Sequence, residues 1–218
     1  AELTEPTIMM QRREVLLHFN YYLHEEDIVF TALASTTRNC YQVLHRRGNP
    51  YALGMGLVIP TAFGLALALP KRRIFALDTD GGPLLSPSIL SVVRASKPSN
   101  LYNLVFDNEH FLGSGTGPPS QRTDLVQVAR GAGIAKADTL DSPAAIDSKL
   151  HWFFGEGGPA VLIAKVDPII STGDGPKMND QENKFQLIRL IEQMKKKRSS
   201  QRQSSPVRPA PREQIWRE

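Results

Sequence analysis

Acidic and amide side chains at the ends of two apolar runs suggest the chemistry of this chain. Residues 74–82 read Ile-Phe-Ala-Leu-Asp-Thr-Asp-Gly-Gly, so an apolar run ends in Asp80 and two glycines. A second apolar run ends in Asp107 and Asn108, and Asn108 lies 28 residues after Asp80. Mg²⁺ prefers carboxylate, amide and carbonyl oxygens and keeps phosphate as a further ligand. A glycine-rich turn that opens a helix is an anion site. The pattern therefore predicts a diphosphate cofactor anchored through a metal ion.

These residues can act together only if the strands that carry them are neighbours. Three predicted strand ends lead into polar or glycine-rich loops, at residues 34–38, 78–82 and 107–117. The carboxyl ends of adjacent parallel strands form the binding crevice of an open α/β sheet. In that crevice Asp80 would give the metal a carboxylate, Asn108 an amide oxygen, and the following loop a backbone carbonyl.

A second group of residues is predicted to hold the anion. Gly81 and Gly82 would offer backbone N–H groups to a diphosphate, and Ser35 and Thr36 would add hydroxyls. The alternative is that Asp80, Gly81 and Gly82 form only a strand-to-helix turn, which is the common role of an isolated Asp-Gly pair.

The elements that must position these loops alternate along the chain. Short apolar strands are predicted at residues 28–33, 73–78, 101–106 and 160–166. Helices are predicted at residues 8–24, 38–47, 54–69, 83–95, 124–130, 143–154 and 180–197. No hairpin signal separates the strands, so we expect an α/β fold: a three-layer parallel sheet with helices on both faces.

Length and charge indicate one domain with a basic tail. A chain of 218 residues with 41% hydrophobic and 22% charged residues is ordinary for one sizeable core. Residues 195–218 carry eight Lys or Arg and two Glu, whereas the whole chain has a net charge of +4, so residues 1–194 are slightly acidic. We expect a single domain over 1–194, a basic disordered tail over 195–218, and no nucleic-acid groove. The tail is either a solvated terminus or an interaction segment with Trp216 as its anchor.

Cysteine usage and hydropathy indicate the compartment. Cys40 is the only cysteine, so no intramolecular disulfide can form. The longest apolar stretch, residues 55–69, is too short for a membrane span, and the N-terminal residues lack the basic and apolar regions of a signal peptide. We expect a soluble, cytoplasmic protein without a membrane partner.

The combined motifs resemble the diphosphate-binding domain of thiamine diphosphate-dependent enzymes. In that family a Gly-Asp-Gly sequence is followed, one strand–helix unit later, by an asparagine, and the counterparts here are Thr79-Asp80-Gly81 and Asn108. The chain is most similar to the β subunits of sulfopyruvate and phosphonopyruvate decarboxylases. Their Gly-Ser-Met-Gly segment is matched approximately by residues 53–56, and their glycine-rich loop by residues 113–117. The resemblance runs over residues 8–168.

The resemblance assigns roles to individual residues. It makes Asp80, Asn108 and the carbonyl of His110 ligands of Mg²⁺. It places Gly54 and Met55 against thiamine diphosphate, with Met55 as the apolar residue beneath the cofactor. Met55 as an ordinary core residue and His110 as a plain exposed loop residue remain alternatives. The His110 side chain is also a candidate acid or base.

The resemblance also implies a partner. The family's activating glutamate lies in a separate pyrimidine-binding domain, for which this chain has no second α/β unit. We therefore expect a pyrimidine-domain α subunit, a hetero- or homo-oligomer with the cofactor at the interface, and decarboxylation of a small 2-oxo acid. No catalytic residue is assigned within the chain itself.

Two departures from the motif keep other functions open. Thr79 replaces the first glycine and would strain the backbone if that position needs unusual dihedrals. Gly82 replaces a residue that usually carries a hydroxyl. A non-catalytic subunit with a degenerate cofactor site is one alternative. A second is a Mg²⁺-dependent haloacid-dehalogenase-type phosphatase, in which Asp78 would be the nucleophile and Asp80 the general acid or base.

Overall fold

A computed structural model describes residues 10–111, 115–116, 118–155 and 157–204. Helices and strands alternate along this part of the chain. In chain order they are α1 (Arg12–Tyr22), β1 (Ile28–Thr31), α2 (Ser35–Leu44), α3 (Val58–Ala68), β2 (Ile74–Thr79), α4 (Gly81–Leu85), α5 (Ser88–Ser96), β3 (Leu101–Asp107), β4 (His110–Phe111), β5 (Gly115–Thr116), α6 (Pro118–Gln121), α7 (Leu125–Gly131), β6 (Ala137–Leu140), α8 (Ile146–Phe154), β7 (Ala160–Lys165) and α9 (Asp180–Ser204).

Five strands form one sheet in the order β1-β2-β3-β7-β6, and every adjacent pair is parallel. Alternate side chains of a strand point to opposite faces, and both faces are buried. Phe75 and Leu77 pack into a core with α1, α2 and α8, whereas Ile74 and Ala76 pack into a second core with α3, α5 and α7. The three-layer parallel α/β fold is therefore confirmed.

The ends of β1, β2 and β3 lie side by side. Thr31 is in register with Leu77, and Thr79 is in register with Phe106. The three loops that the sequence singles out therefore leave adjacent strands at one edge of the sheet, as predicted.

The structure differs from the prediction at several elements. The edge strand β6 was not predicted, because its Asp138 and Thr139 are half-buried and interrupt any apolar run. The helix expected at 83–95 is two helices, α4 and α5, since Pro87 has no backbone N–H with which to continue α4. Strands β4 and β5 pair antiparallel, so a short hairpin exists where none was expected.

Helix α9 also differs from the expected boundary. It continues to Ser204, so residues 195–204, which the sequence analysis assigns to a disordered tail, are helical. Lys, Arg, Gln and Ser there are compatible with a helix, and neither Gly nor Pro interrupts them. Residues 205–218, with Trp216, lie outside the described part of the chain. None of the helices within that part combines the length and apolar character needed to cross a bilayer.

Candidate functional site

A pocket of about 230 Å³ opens where β1, β2 and β3 end. Seven of the nine residues predicted to bind cofactor or metal line it: Ser35, Thr36, Met55, Asp80, Gly81, Asn108 and His110. Gly54 and Gly82 do not line it. The remaining lining residues were not predicted as site residues: Arg12, Leu33, Ala34, Thr79, Pro168, Ile169 and Ile170. The polar loops of the three strands thus converge, and a segment after β7 closes one side.

Asp80 is the carboxylate at the base of this pocket. It is 6% exposed, and its backbone N–H donates to the Phe106 carbonyl at 3.2 Å, which ties the end of β2 to β3. Burial raises the pKa of Asp80 and the nearby Asp107 carboxylate raises it further, whereas hydrogen bonds from Ser120 and the Gly81 N–H favour the charged form. A cation bound here would stabilise the charged carboxylate.

Asn108 and His110 form a tight turn directly after β3. The His110 backbone N–H donates to Asn108 Oδ1 at 3.2 Å, and His110 Nδ1 lies 2.8 Å from the Asn108 carbonyl oxygen. Between them, Glu109 has a φ of 55°, an uncommon conformation for a residue with a side chain. The turn fixes the amide oxygen of Asn108 at the pocket, while the His110 side chain is exposed.

The described part of the chain contains no cluster of three or more His, Cys, Asp or Glu side chains that could hold a metal. The predicted ligand set draws on one carboxylate, one amide oxygen and one backbone carbonyl, so it does not require such a cluster. Oxygen donors of this kind suit Mg²⁺, which usually takes one or two carboxylates and completes its shell with phosphate and water.

The N-terminus of α2 forms the anion side of the pocket. Ala34 precedes the helix with φ 60° and ψ −129° and provides no side-chain cap, so the first backbone N–H groups of α2 lack that partner. Such strained backbone is typical of functional sites. Thr36 Oγ1 is buried with no hydrogen-bond partner among the described residues. An uncapped helix start and an orphaned hydroxyl fit a phosphate group.

Both glycines after Asp80 lie against another side chain. A Cβ on Gly81 would lie 2.6 Å from the Met55 sulfur, so Met55 covers Gly81 from inside the pocket. A Cβ on Gly82 would overlap the carboxylate of Asp78. Gly82 therefore replaces the usual hydroxyl-bearing residue where Asp78 leaves no space for a side chain.

Asp78 is buried beneath the pocket and does not line it. It is 1% exposed, its Oδ1 accepts from the Thr79 N–H at 2.8 Å, and its Oδ2 has no partner within the described residues. Burial, reinforced by the Asp80 carboxylate, raises the pKa of Asp78 to about 7. A nucleophile must reach its substrate, so this position argues against the phosphatase interpretation.

Thr79 would strain the backbone only if its position needed unusual dihedrals, and the structure shows that it does not. It is the last residue of β2, in register with Phe106, and is not one of the described non-glycine residues with positive φ. Its Cβ is therefore accommodated in an ordinary extended conformation, and the first glycine of the motif is not needed here.

The segment after β7 is a part of the site that the sequence analysis missed. Ser171 anchors it across α2: its N–H donates to Ser35 Oγ at 3.1 Å, its carbonyl accepts from Arg38 at 2.9 Å, and its Oγ accepts from Asn39 at 2.9 Å. The preceding residues Pro168 to Ile170 line the pocket. No local motif predicts contacts across more than 130 residues of sequence.

Family comparison identifies the fold unit that carries this pocket. The family model described as thiamine pyrophosphate enzyme, C-terminal TPP binding domain, matches residues 31–164. The chain belongs to this family. The matched segment begins at the end of β1 and contains β2 and β3, together with the loops after all three strands. Thiamine pyrophosphate is the same compound as thiamine diphosphate.

Curated relatives of this TPP-binding domain are decarboxylases. It is 28% identical to the phosphonopyruvate decarboxylases of Streptomyces hygroscopicus, over 64% of this chain and 35% of the relative, and of Streptomyces viridochromogenes, over 73% and 41%. It is 30% identical to the sulfopyruvate decarboxylase subunit beta of Methanothermobacter thermautotrophicus, over 50% and 58%. The matches thus span less than two thirds of each relative's length.

A solved structure shows the same fold. The X-ray structure assigned as a thiamin diphosphate-dependent enzyme isolated from Mycobacterium smegmatis aligns with 77% of this chain and 35% of its own chain. The TM-score is 0.64 and the identity 19%. This comparison supports the fold alone.

Proposed function

We propose that this TPP-binding domain is the β-type subunit of a thiamine diphosphate- and Mg²⁺-dependent 2-oxo acid decarboxylase, similar to sulfopyruvate and phosphonopyruvate decarboxylases. The convergence of Asp80, Asn108 and the uncapped start of α2 on one pocket carries the proposal, because all three lie within the segment that matches the family. Decarboxylase relatives support the reaction class.

The residues of the pocket divide into metal and phosphate ligands. Asp80, Asn108 Oδ1 and the His110 carbonyl would hold Mg²⁺. Thr36 Oγ1 and the first N–H groups of α2 would hold the diphosphate, with Ser35 already engaged by Ser171. The fit rests on a buried carboxylate, an amide oxygen held in a tight turn and an orphaned buried hydroxyl.

Met55 would support the organic part of the cofactor from below. Met55 lines the pocket, and its sulfur lies close to Gly81. Thiamine diphosphate, when bound, supplies the carbon nucleophile and the electron sink for loss of CO₂ from a 2-oxo acid. The chain itself would bind and orient the cofactor and exclude water from the diphosphate and metal.

A partner chain would complete the site. Leu33, Ile169 and Ile170 line the pocket and are 37%, 64% and 55% exposed, which leaves an apolar rim suited to another protein surface. We propose that an α subunit with a pyrimidine-binding domain covers this rim and contributes the activating glutamate. The name of the Methanothermobacter relative, a subunit beta, supports this assembly. A single buried cysteine is compatible with the cytoplasm.

The test is the cofactor content of the complex purified from its native source, with the co-purifying chains identified. We expect thiamine diphosphate and Mg²⁺ in stoichiometric amounts, together with a pyrimidine-domain partner. Asp80→Ala should empty the site, whereas the control Asp141→Ala, at an exposed position after β6, should not. A partner without cofactor would instead support the non-catalytic subunit. Metal without thiamine diphosphate, and no partner, would contradict both.

A further inference from the structure

Arg12 is a buried cation at the pocket, and no sequence motif predicted it as a site residue. It is the first residue of α1 and lines the pocket, yet it is only 4% exposed. Arginine is almost never buried to this extent without a partner. It is the one Lys or Arg among the described lining residues.

The guanidinium has unused hydrogen-bonding capacity. Its Nε is buried with no hydrogen-bond partner, and no hydrogen bond or ion pair among the described residues involves its side chain. Its contact is with the ring of Phe106, whose centroid lies 5.5 Å from the guanidinium carbon. Arginine carries five N–H donors in a planar fork that matches carboxylate and phosphate oxygens. A donor set of this kind, left unpaired by the described residues, indicates a ligand that this part of the chain does not supply.

Backbone contacts with the residues that follow β7 fix the start of α1 beside the pocket. Met10 pairs with Val166 in a parallel bridge, and the Asp167 N–H donates to the Met10 carbonyl at 2.9 Å. The chain after Asp167 then continues as the residues that line the pocket. Arg12 is thus held at the pocket by backbone contacts, and its side chain forms no ion pair with another described residue.

The surrounding charges favour retention of the positive charge. Burial lowers the pKa of Arg12, and the carboxylates of Asp167 and Asp80 oppose that shift. Arginine stays protonated in proteins because its reference pKa is so high. Asp80 is also the proposed metal ligand, so Arg12 and the metal would both act on the Asp80 carboxylate.

We propose that Arg12 is an anion-binding residue of this site and donates to a phosphate oxygen of the cofactor diphosphate. The inference rests on the proposed function. A diphosphate carries more negative charge than one magnesium ion with a carboxylate ligand neutralises, so a further cation would stabilise it. Thr36 and the start of α2 line the same pocket as Arg12, which places the phosphate donors together.

The test compares Arg12→Met, Arg12→Lys and the control Arg13→Met, whose native residue is the exposed neighbour of Arg12 on α1. Calorimetry measures the binding of inorganic pyrophosphate with Mg²⁺, of thiamine diphosphate and of thiamine to the full chain, alone and with its co-purifying partner. We expect Arg12→Met to weaken pyrophosphate and thiamine diphosphate binding by at least about tenfold, the scale of one charged hydrogen bond. Arg12→Lys should lose less, and Arg13→Met and all thiamine affinities should be unchanged.

Equal pyrophosphate binding by Arg12→Met and the native chain would overturn the inference and leave Arg12 as a counter-charge for Asp80. Absence of pyrophosphate and thiamine diphosphate binding in the native complex would overturn the proposed function as well. If Arg12→Met does not fold, nuclear magnetic resonance of the native chain provides a second test. The Arg12 Nε–H signal, assigned by through-bond correlation to the Arg12 backbone, should shift on saturation with pyrophosphate, and an unmoved signal would contradict the inference.

Discussion

Replacing Gly82 with alanine would put a Cβ into the space that the Asp78 carboxylate occupies. Asp78 cannot easily move away, because it lies in the interior strand β2, is 1% exposed, and accepts from the Thr79 N–H at 2.8 Å. The substitution therefore has to rotate a buried side chain or displace α4 from the end of β2.

The cost can be worked from these contacts. Overpacking a filled core costs about 1–3 kcal/mol, and loss of a hydrogen bond to a charged group costs about 1.5–3 kcal/mol. Alanine returns about 1 kcal/mol because it is the better helix former. We expect Gly82→Ala to lower the free energy of unfolding by about 1.5–5 kcal/mol. In an Asp78→Ala background, where the space is free, the same substitution should cost less than about 1 kcal/mol.

Urea denaturation followed by far-UV circular dichroism measures both changes. Gly64→Ala and Gly131→Ala are matched controls, since each lies in a helix and no heavy atom within 4 Å would meet the new Cβ. Both controls should be neutral or stabilising by up to about 1 kcal/mol. Equal stability of Gly82→Ala and the two controls would refute the packing argument.

Three further substitutions test single contacts by the same denaturation assay. Asn103 is fully buried and neither of its side-chain polar atoms has a partner among the described residues, so Asn103→Leu should raise the free energy of unfolding by about 1 kcal/mol, and a decrease would contradict this. Arg73 donates from Nε to the 4%-exposed Asp27 at 3.0 Å, and Arg73→Lys, which loses the planar fork, should cost about 1–3 kcal/mol rather than nothing. Thr79→Gly should lower the free energy of unfolding by about 1 kcal/mol. It should leave thiamine diphosphate affinity within about twofold, because Thr79 has no positive φ to relieve. A clear gain in affinity would show that the missing motif glycine does matter.

Most of the sheet could be predicted, because four of its five strands are mainly apolar runs in the sequence. Residues 28–30 and 74–77 are apolar without interruption, as strands buried on both faces must be, and the structure buries all of them. Strand β6 could not be predicted in this way, since an edge strand of four residues needs only half of its side chains apolar. Its pairing with β7 is a tertiary event that local pattern does not encode.

The site residues likewise fall into those that the sequence pattern predicts and those that depend on tertiary contacts. Asp80 and Asn108 lie in loops directly after two adjacent parallel strands. Because strand adjacency alone brings them together, their positions in the sequence were enough to predict that they lie close to each other. Arg12 reaches the pocket through a bridge between Met10 and Val166, which are far apart in the chain. In sequence Arg12 is one of two consecutive arginines at a helix start, and nothing local distinguishes it from Arg13. Burial, which does distinguish them, exists only in the folded chain.

The buried charges explain why cation and anion sites would occur together. Asp78, Asp80 and Asp107 are each at most 6% exposed at the ends of β2 and β3. Lys165 pairs with Asp107 at 2.7 Å, and Arg12 interacts electrostatically with Asp80. Burial raises the pKa of Asp80 because a desolvated charge is costly. A metal ion at Asp80 would supply positive charge there directly, so Arg12 would no longer be needed as its counter-charge. The guanidinium could then donate to a phosphate, and each bound ion would lower the cost of burying the other.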